Sequence, residues 1–150
     1  MTSFYKKFVF SVGIFFIFVC LGCQTAPKIQ LEEQDRSLAD LRKAILSVMG
    51  EPRHVSENQR EYYSQYFSRV AIDKFDPSTA KERQFARITI LGDRRPYIID
   101  VAVFVEKRVG QQYQTSGLDK SSALQIRKDI KNKLVQGQDG MNVIDDFRAF

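Results

Sequence analysis

Few residues in this chain are equipped for chemistry, and their spacing decides which chemistry they can enter. His54 is the only histidine in 150 residues, so no pair of imidazoles can hold zinc. Neither HExxH, a GxSxG elbow, a Walker loop nor GxGxxG occurs. Asp145 and Asp146 are adjacent, and neighbouring side chains on a strand point to opposite faces, which separates them as a metal or acid–base pair. What the chain does offer is cations in clusters. Arg94 and Arg95, inside Gly92–Pro96, have the fork geometry that binds a carboxylate or phosphate, although a solvated turn has the same composition. Arg127, Lys128 and Lys131, with Lys133, give a helical segment a basic side that reads as solvated surface or as a contact for anionic headgroups or lipopolysaccharide. The expectation is a non-enzymatic protein without metal or cofactor. A hydrolase would need two well-placed carboxylates, and nothing nominates them.

The two cysteines, Cys20 and Cys23, end an apolar run. Lys6-Lys7 precedes about a dozen apolar residues from Phe8 to Val19, and Leu21-Gly22-Cys23-Gln24 follows. This resembles the export signal of bacterial lipoproteins: Gly22 and Cys23 match the last two positions of the lipobox, while Cys20 and Leu21 depart from the first two. The resemblance implies a signal peptide over 1–22, cleavage before Cys23, palmitate-type acylation of Cys23 and a periplasm-facing domain. Gln24 is not the aspartate that resembles inner-membrane retention, so the outer membrane is the expected site. The alternative, an uncleaved anchor, has too short an apolar segment against the roughly 20 residues a span requires. Cleavage would leave Cys23 as the sole cysteine with its sulfur occupied, which excludes disulfides, thiol catalysis and cysteine-ligated metals. Loss of Lys6 and Lys7 would lower the formal charge of +5 by two. That mild surplus in that compartment argues against nucleic acid.

The elements that must position the remaining residues are punctuated unevenly. Residues 24–36, QTAPKIQLEEQDR, lack periodicity and read as a flexible tether with a typical span of roughly 20 Å. Residues 37–150 suffice for one domain. Ser37 with Asp40 approximates a capping box, Leu38, Leu41, Ile45 and Val48 follow helical spacing, and Gly50 and Pro52 stop the helix near Met49. Aromatic enrichment in Arg60–Phe67 favours a strand, although helix is the alternative. Asp73–Glu82 reads as a loop. Phe85–Leu91 and Tyr97–Val109, joined by Gly92–Pro96, predict an antiparallel hairpin. Ile99, Val101, Val103 and Val105 share its core face, while Asp100, Ala102, Phe104 and Glu106 share a partly polar one. Asp119 or Ser121 can cap a second helix, with Ala123, Ile126, Ile130 and Leu134 inward and Gly137 as its end. Beyond it Val143, Ile144, Phe147 and Phe150 are too apolar to be freely solvated; Phe147 and Phe150 are candidate partner-docking residues.

The capped helix, Gly50-Glu51-Pro52 and the aromatic run that follows, within about Ser37 to Phe67, resemble the small SmpA/BamE-type lipoproteins. That resemblance implies a role in outer-membrane β-barrel assembly and carries over no functional residue. The combined expectation is a two-layer α+β domain, with two helices on an antiparallel sheet of three to four strands. Its function would be structural or assembly-related, through an envelope protein partner met at the sheet edge or the C-terminal tail. The alternative is a binding module for an anionic envelope ligand, either lipopolysaccharide, anionic lipid or glycan.

Overall fold

The computed structural model describes residues 29–69 and 74–139. The signal segment, Cys23 and the apolar tail with Phe147 and Phe150 lie outside them. The described chain runs β1 (Ile29–Gln34), α1 (Leu38–Met49), β2 (His54–Val55), β3 (Glu61–Tyr63), β4 (Glu82–Leu91), β5 (Tyr97–Val109), β6 (Gln112–Leu118) and α2 (Lys120–Asp139). Helix α1 starts as its local chemistry requires. The Ser37 hydroxyl accepts from the Asp40 amide at 3.1 Å and donates to the Asp40 carboxylate at 2.6 Å, so each side chain holds the other across the first turn. It ends where Gly50 takes a φ of 74° and donates its N–H to the Leu46 carbonyl.

The sheet is fully antiparallel, in the order β1-β5-β4-β3-β2, with β6 also on β5. Strand β5 is the spine. Strand β4 runs along one of its edges, from Leu91 opposite Ile98 to Glu82 opposite Lys107. The other edge is shared: β1 takes Tyr97–Val101, and β6 takes Phe104–Val109 through a tight turn in which Gly110 supplies a φ of 65°. Along β5 the predicted alternation holds, with Ile99, Val101 and Val103 buried, Val105 half-buried, and the intervening side chains on the second face.

Both helices lie against one face, making the two-layer α+β architecture. Leu41, Ala44 and Ile45 of α1 and Ala123, Ile130 and Leu134 of α2 close on Ala86, Ile88 and Ile90 of β4 and on the inward side of β5. The start of α2 is fixed by Asp119. One carboxylate oxygen accepts the Ser121 amide (3.0 Å), the Ser122 amide (3.2 Å) and the Ser121 hydroxyl (2.6 Å). These bonds, the Ser121 hydroxyl foremost, hold its pKa far below the usual carboxylate range against the cost of burial.

Three expectations need correction. Among the described residues the sheet has six strands rather than three or four. Residues 29–34 belong to it instead of to a tether, because Ile29 and Leu31 pack against the core opposite Val101 and Ile99. Helix α2 passes through Gly137 to Asp139, since glycine inside a helix costs only about 1 kcal/mol relative to alanine and does not by itself stop one. The ambiguous aromatic run is strand over Glu61–Tyr63, with Phe67 returning as a bridge to Gln84.

Candidate interaction face

The second face of the sheet carries the chain's densest arrangement of functional side chains, and among the described residues no helix packs on it. Period-two alternation places Arg83, Phe85, Arg87 and Thr89 of β4 there, opposite the inward Gln84, Ala86, Ile88 and Ile90. Register sets Phe104 directly across from Phe85, and Glu106 across from Arg83. The Phe85 and Phe104 rings stack at 5.1 Å with planes 14° apart. Tyr66 meets Phe85 edge-on at 5.9 Å, and His54 leans on Tyr63 at 5.5 Å. All except His54 are half-buried, so each ring keeps part of its area for something else.

Three arginines are threaded through these rings. The guanidinium of Arg83 lies 3.8 Å from the Tyr66 centroid and 3.5 Å from that of Tyr113, while its Nε donates to Glu106 at 2.7 Å. With both charged side chains only 15 % exposed, this pair is a fixed strut. Arg53 lies 4.1 Å from Tyr66 and 5.1 Å from Phe85 and donates to the Tyr66 hydroxyl, yet it is exposed. Its guanidinium is thus held against two rings whose planes stand 90° apart. Arg87 lies over Phe104 at 5.0 Å. Its Nε, like Oδ1 of Asp100, is buried without a hydrogen-bond partner among the described residues.

Arg87 and Asp100 also line a cleft of about 270 Å³ at the seam where β1 and β6 leave the edge of β5, together with Ile29, Leu118 and Lys120. One corner of the face is strapped by residues 76–80. There the Tyr113 hydroxyl donates to the Ala80 carbonyl at 2.7 Å, and Arg83 donates to the Pro77 carbonyl at 3.1 Å. The strap is pinned by Asp76, whose carboxylate accepts from Ser78 and Thr79; the Ser78 hydroxyl is the main reason its pKa is lowered.

No group of three His, Cys, Asp or Glu among the described residues could hold a metal ion, and His54 meets a ring rather than a nucleophile. Arginines beside half-buried rings suit a carboxylate flanked by apolar atoms, and arginine and aromatic residues are the types enriched in protein interfaces.

The cations nominated from sequence are split between two places. Arg94 and Arg95 sit exposed on the β4–β5 turn, whose Gly92 carbonyl accepts from Arg60. Arg127 is turned to β1, its Nη1 donating to the Gln30 carbonyl at 3.2 Å, while Lys128 and Lys131 are exposed on α2. Among the described residues no hydrogen bond or ion pair joins the turn to α2. Sequence reasoning missed Arg53, Arg83, Arg87 and Tyr113. The signal was the Arg-x-Phe-x-Arg alternation of residues 83–87, which puts three large side chains on one face.

Compared with known protein families, the chain matches no family model, and no curated protein matches it.

Proposed function

We propose that this is a lipid-anchored envelope protein, tethered through an acylated Cys23 to the periplasmic side of the outer membrane, with a structural or assembly role. In this reading it acts by docking a carboxylate-bearing segment of an envelope protein on the second face of the sheet. The observation that carries it is the exposed Arg53 guanidinium held on Tyr66 and Phe85 beside the stacked Phe85–Phe104 pair. Arginine preorganised on aromatic rings loses little freedom on pairing and supplies the desolvated anchors on which interface energy concentrates. The Lys-Lys, apolar run and Gly22-Cys23 of the N-terminus support the anchor. The resemblance of Ser37–Phe67 to SmpA/BamE-type lipoproteins is the reason for placing the role in outer-membrane protein assembly.

A photo-crosslinking residue at position 104, in cells, is expected to trap a discrete protein adduct that Arg53→Glu reduces severalfold. The same probe at position 43, on the exposed side of α1, is expected to trap none. Equal adducts at both positions, or an adduct indifferent to Arg53→Glu, would remove the docking face. The anchor is tested separately: metabolic lipid labelling should disappear in Cys23→Ser and persist in Cys20→Ser.

A second reading, capture of an anionic envelope ligand, is favoured by the exposed cations of α2 and of the β4–β5 turn. Ligand capture by surface cations weakens steeply with ionic strength, whereas docking on rings does so far less.

A further inference from the structure

The solvent side of α2 is not uniform. At 100° per residue, its core-facing positions Ala123, Ile130 and Leu134 leave two flanks of opposite character. One flank carries Lys120, Leu124, Arg127, Lys128, Lys131 and Val135 within an arc of about 100° and has no acidic residue. The other carries Gln125, Asp129, Asn132, Lys133 and Gln136, where one acidic and one basic side chain offset each other. On the first flank the lysines are exposed, and two apolar side chains lie open among them, Leu124 at 46 % and Val135 at 50 %. Cations interleaved with exposed apolar side chains are the pattern of helices that lie in a membrane interface.

Two contacts orient that flank. Arg127 donates to the Gln30 carbonyl, so this side of α2 is the side of β1. Lys120 lines the same cleft as Ile29, the first residue of β1. Five residues lie between Cys23 and Ile29, and the six steps of chain, at 3.3–3.6 Å each, reach no farther than about 20 Å. An acyl group on Cys23 therefore holds the β1 side of the domain, with this flank of α2, next to the bilayer to which it is anchored.

We infer that the Lys120, Leu124, Lys128, Lys131, Val135 flank of α2 lies on the anionic phospholipid surface that receives the Cys23 lipid, the lysines meeting headgroup phosphates and the two apolar side chains entering between headgroups. This rests on the anchoring reading for its geometry. Because that flank lies on the β1 side of α2, about 90° from its core direction, the second face of the sheet would stand at an angle to the bilayer and stay open to a partner.

The test uses acylated mature protein in vesicles of phosphatidylcholine with phosphatidylglycerol in equal parts, carrying a lipid-borne fluorescence quencher. In it the acylated Cys23 leaves a single introduced thiol free for labelling. Probes at Leu124→Cys and Val135→Cys are expected to be quenched, and probes one residue on, at Gln125→Cys and Gln136→Cys, to stay bright. Quenching at 124 should fall severalfold in phosphatidylcholine alone, in 1 M salt, where charges are screened within about 3 Å, and in the Lys120, Lys128, Lys131→Gln triple variant. Equal quenching of neighbouring probes, or none at 124 while the protein floats with the vesicles, would overturn the flank and leave the anchor standing. If mass spectrometry finds no acyl group on Cys23, the anchoring reading falls. The same probe pairs on unacylated protein with Cys20 and Cys23 replaced by serine then decide the flank alone: salt-sensitive quenching at 124 but not 125 keeps it, and absence of binding overturns it.

Discussion

Gln84 and Asp119 meet across the layer interface, the Gln84 amide donating to the Asp119 carboxylate at 3.2 Å, so the residue that caps α2 also ties it to β4. Gln84 is 2 % exposed and Asp119 9 %, and the pair has little access to water. The bond makes the helix start and the central strand one cooperative unit rather than two elements that merely touch.

Asp119→Ala should cost about 2–4 kcal/mol, the sum of a lost N-cap and a buried amide left without its acceptor. The pH dependence has a definite sign. Because the folded-state pKa of Asp119 is lowered, its contribution is fully present above the ordinary carboxylate range and is lost as pH falls from about 4 downward. Denaturant melts at several acidic pH values should show wild type losing stability over that window more steeply than the variant. Parallel acid limbs would refute this assignment.

Val103→Asp should cost several kcal/mol or abolish folding, since Val103 is wholly buried between the helices and β4 and a carboxylate there has no partner. Asp100→Asn, three residues earlier and on the second face, should change stability by under about 1 kcal/mol. The reverse order in urea titration would mean that the strand phase is wrong.

Strand β1 offers a sharper test, because its residues also pass for a spacer. Leu31→Asp puts a charge into the contact between β1 and Ile99. It is expected to destabilise by about 2–3 kcal/mol, whereas Gln30→Ser should be nearly silent. Equal, small effects at both positions would show that β1 contributes nothing to the fold.

Gly137→Ala should stabilise by about 0.5–1 kcal/mol, since the position is helical, exposed, and open where a methyl would stand. A loss of thermal stability would contradict a helix running through it.

What could be read in advance followed from how local the determinants are. Helix α1 was legible because Ser37, Asp40 and Gly50 are its own neighbours, and the β4–β5 hairpin because both strands carry strong alternation around one turn. Strands β1 and β6 were not. Ile29 and Leu31 acquire an inward side only from β5, some 70 residues away in sequence, and Gln112–Leu118 is a polar edge strand whose pairing comes from a two-residue turn. The aromatic and arginine face is likewise assembled from β2 to β6 and the segments between. Arg53, Tyr66, Arg83 and Tyr113 become neighbours only once register is set, so spacing along the chain carried no trace of their stacking. The α2 cations were visible as a helical face. Their division into a basic flank and a neutral one became clear once the core direction was fixed and Arg127 was seen bound to Gln30.

The sharing of one β5 edge by β1 and β6 has a mechanical side. A pull on the chain N-terminal to Ile29 enters the fold through β1, which β5 holds only over Tyr97–Val101, with Arg127 as a clip on Gln30. Tension therefore parts the Ile29–Val101 pairing first, while β6 keeps its own stretch of the same edge and the long β4–β5 ladder lies out of the line of force. This short seam is the first to bear load, so a pull there would peel one strand and leave the aromatic face assembled.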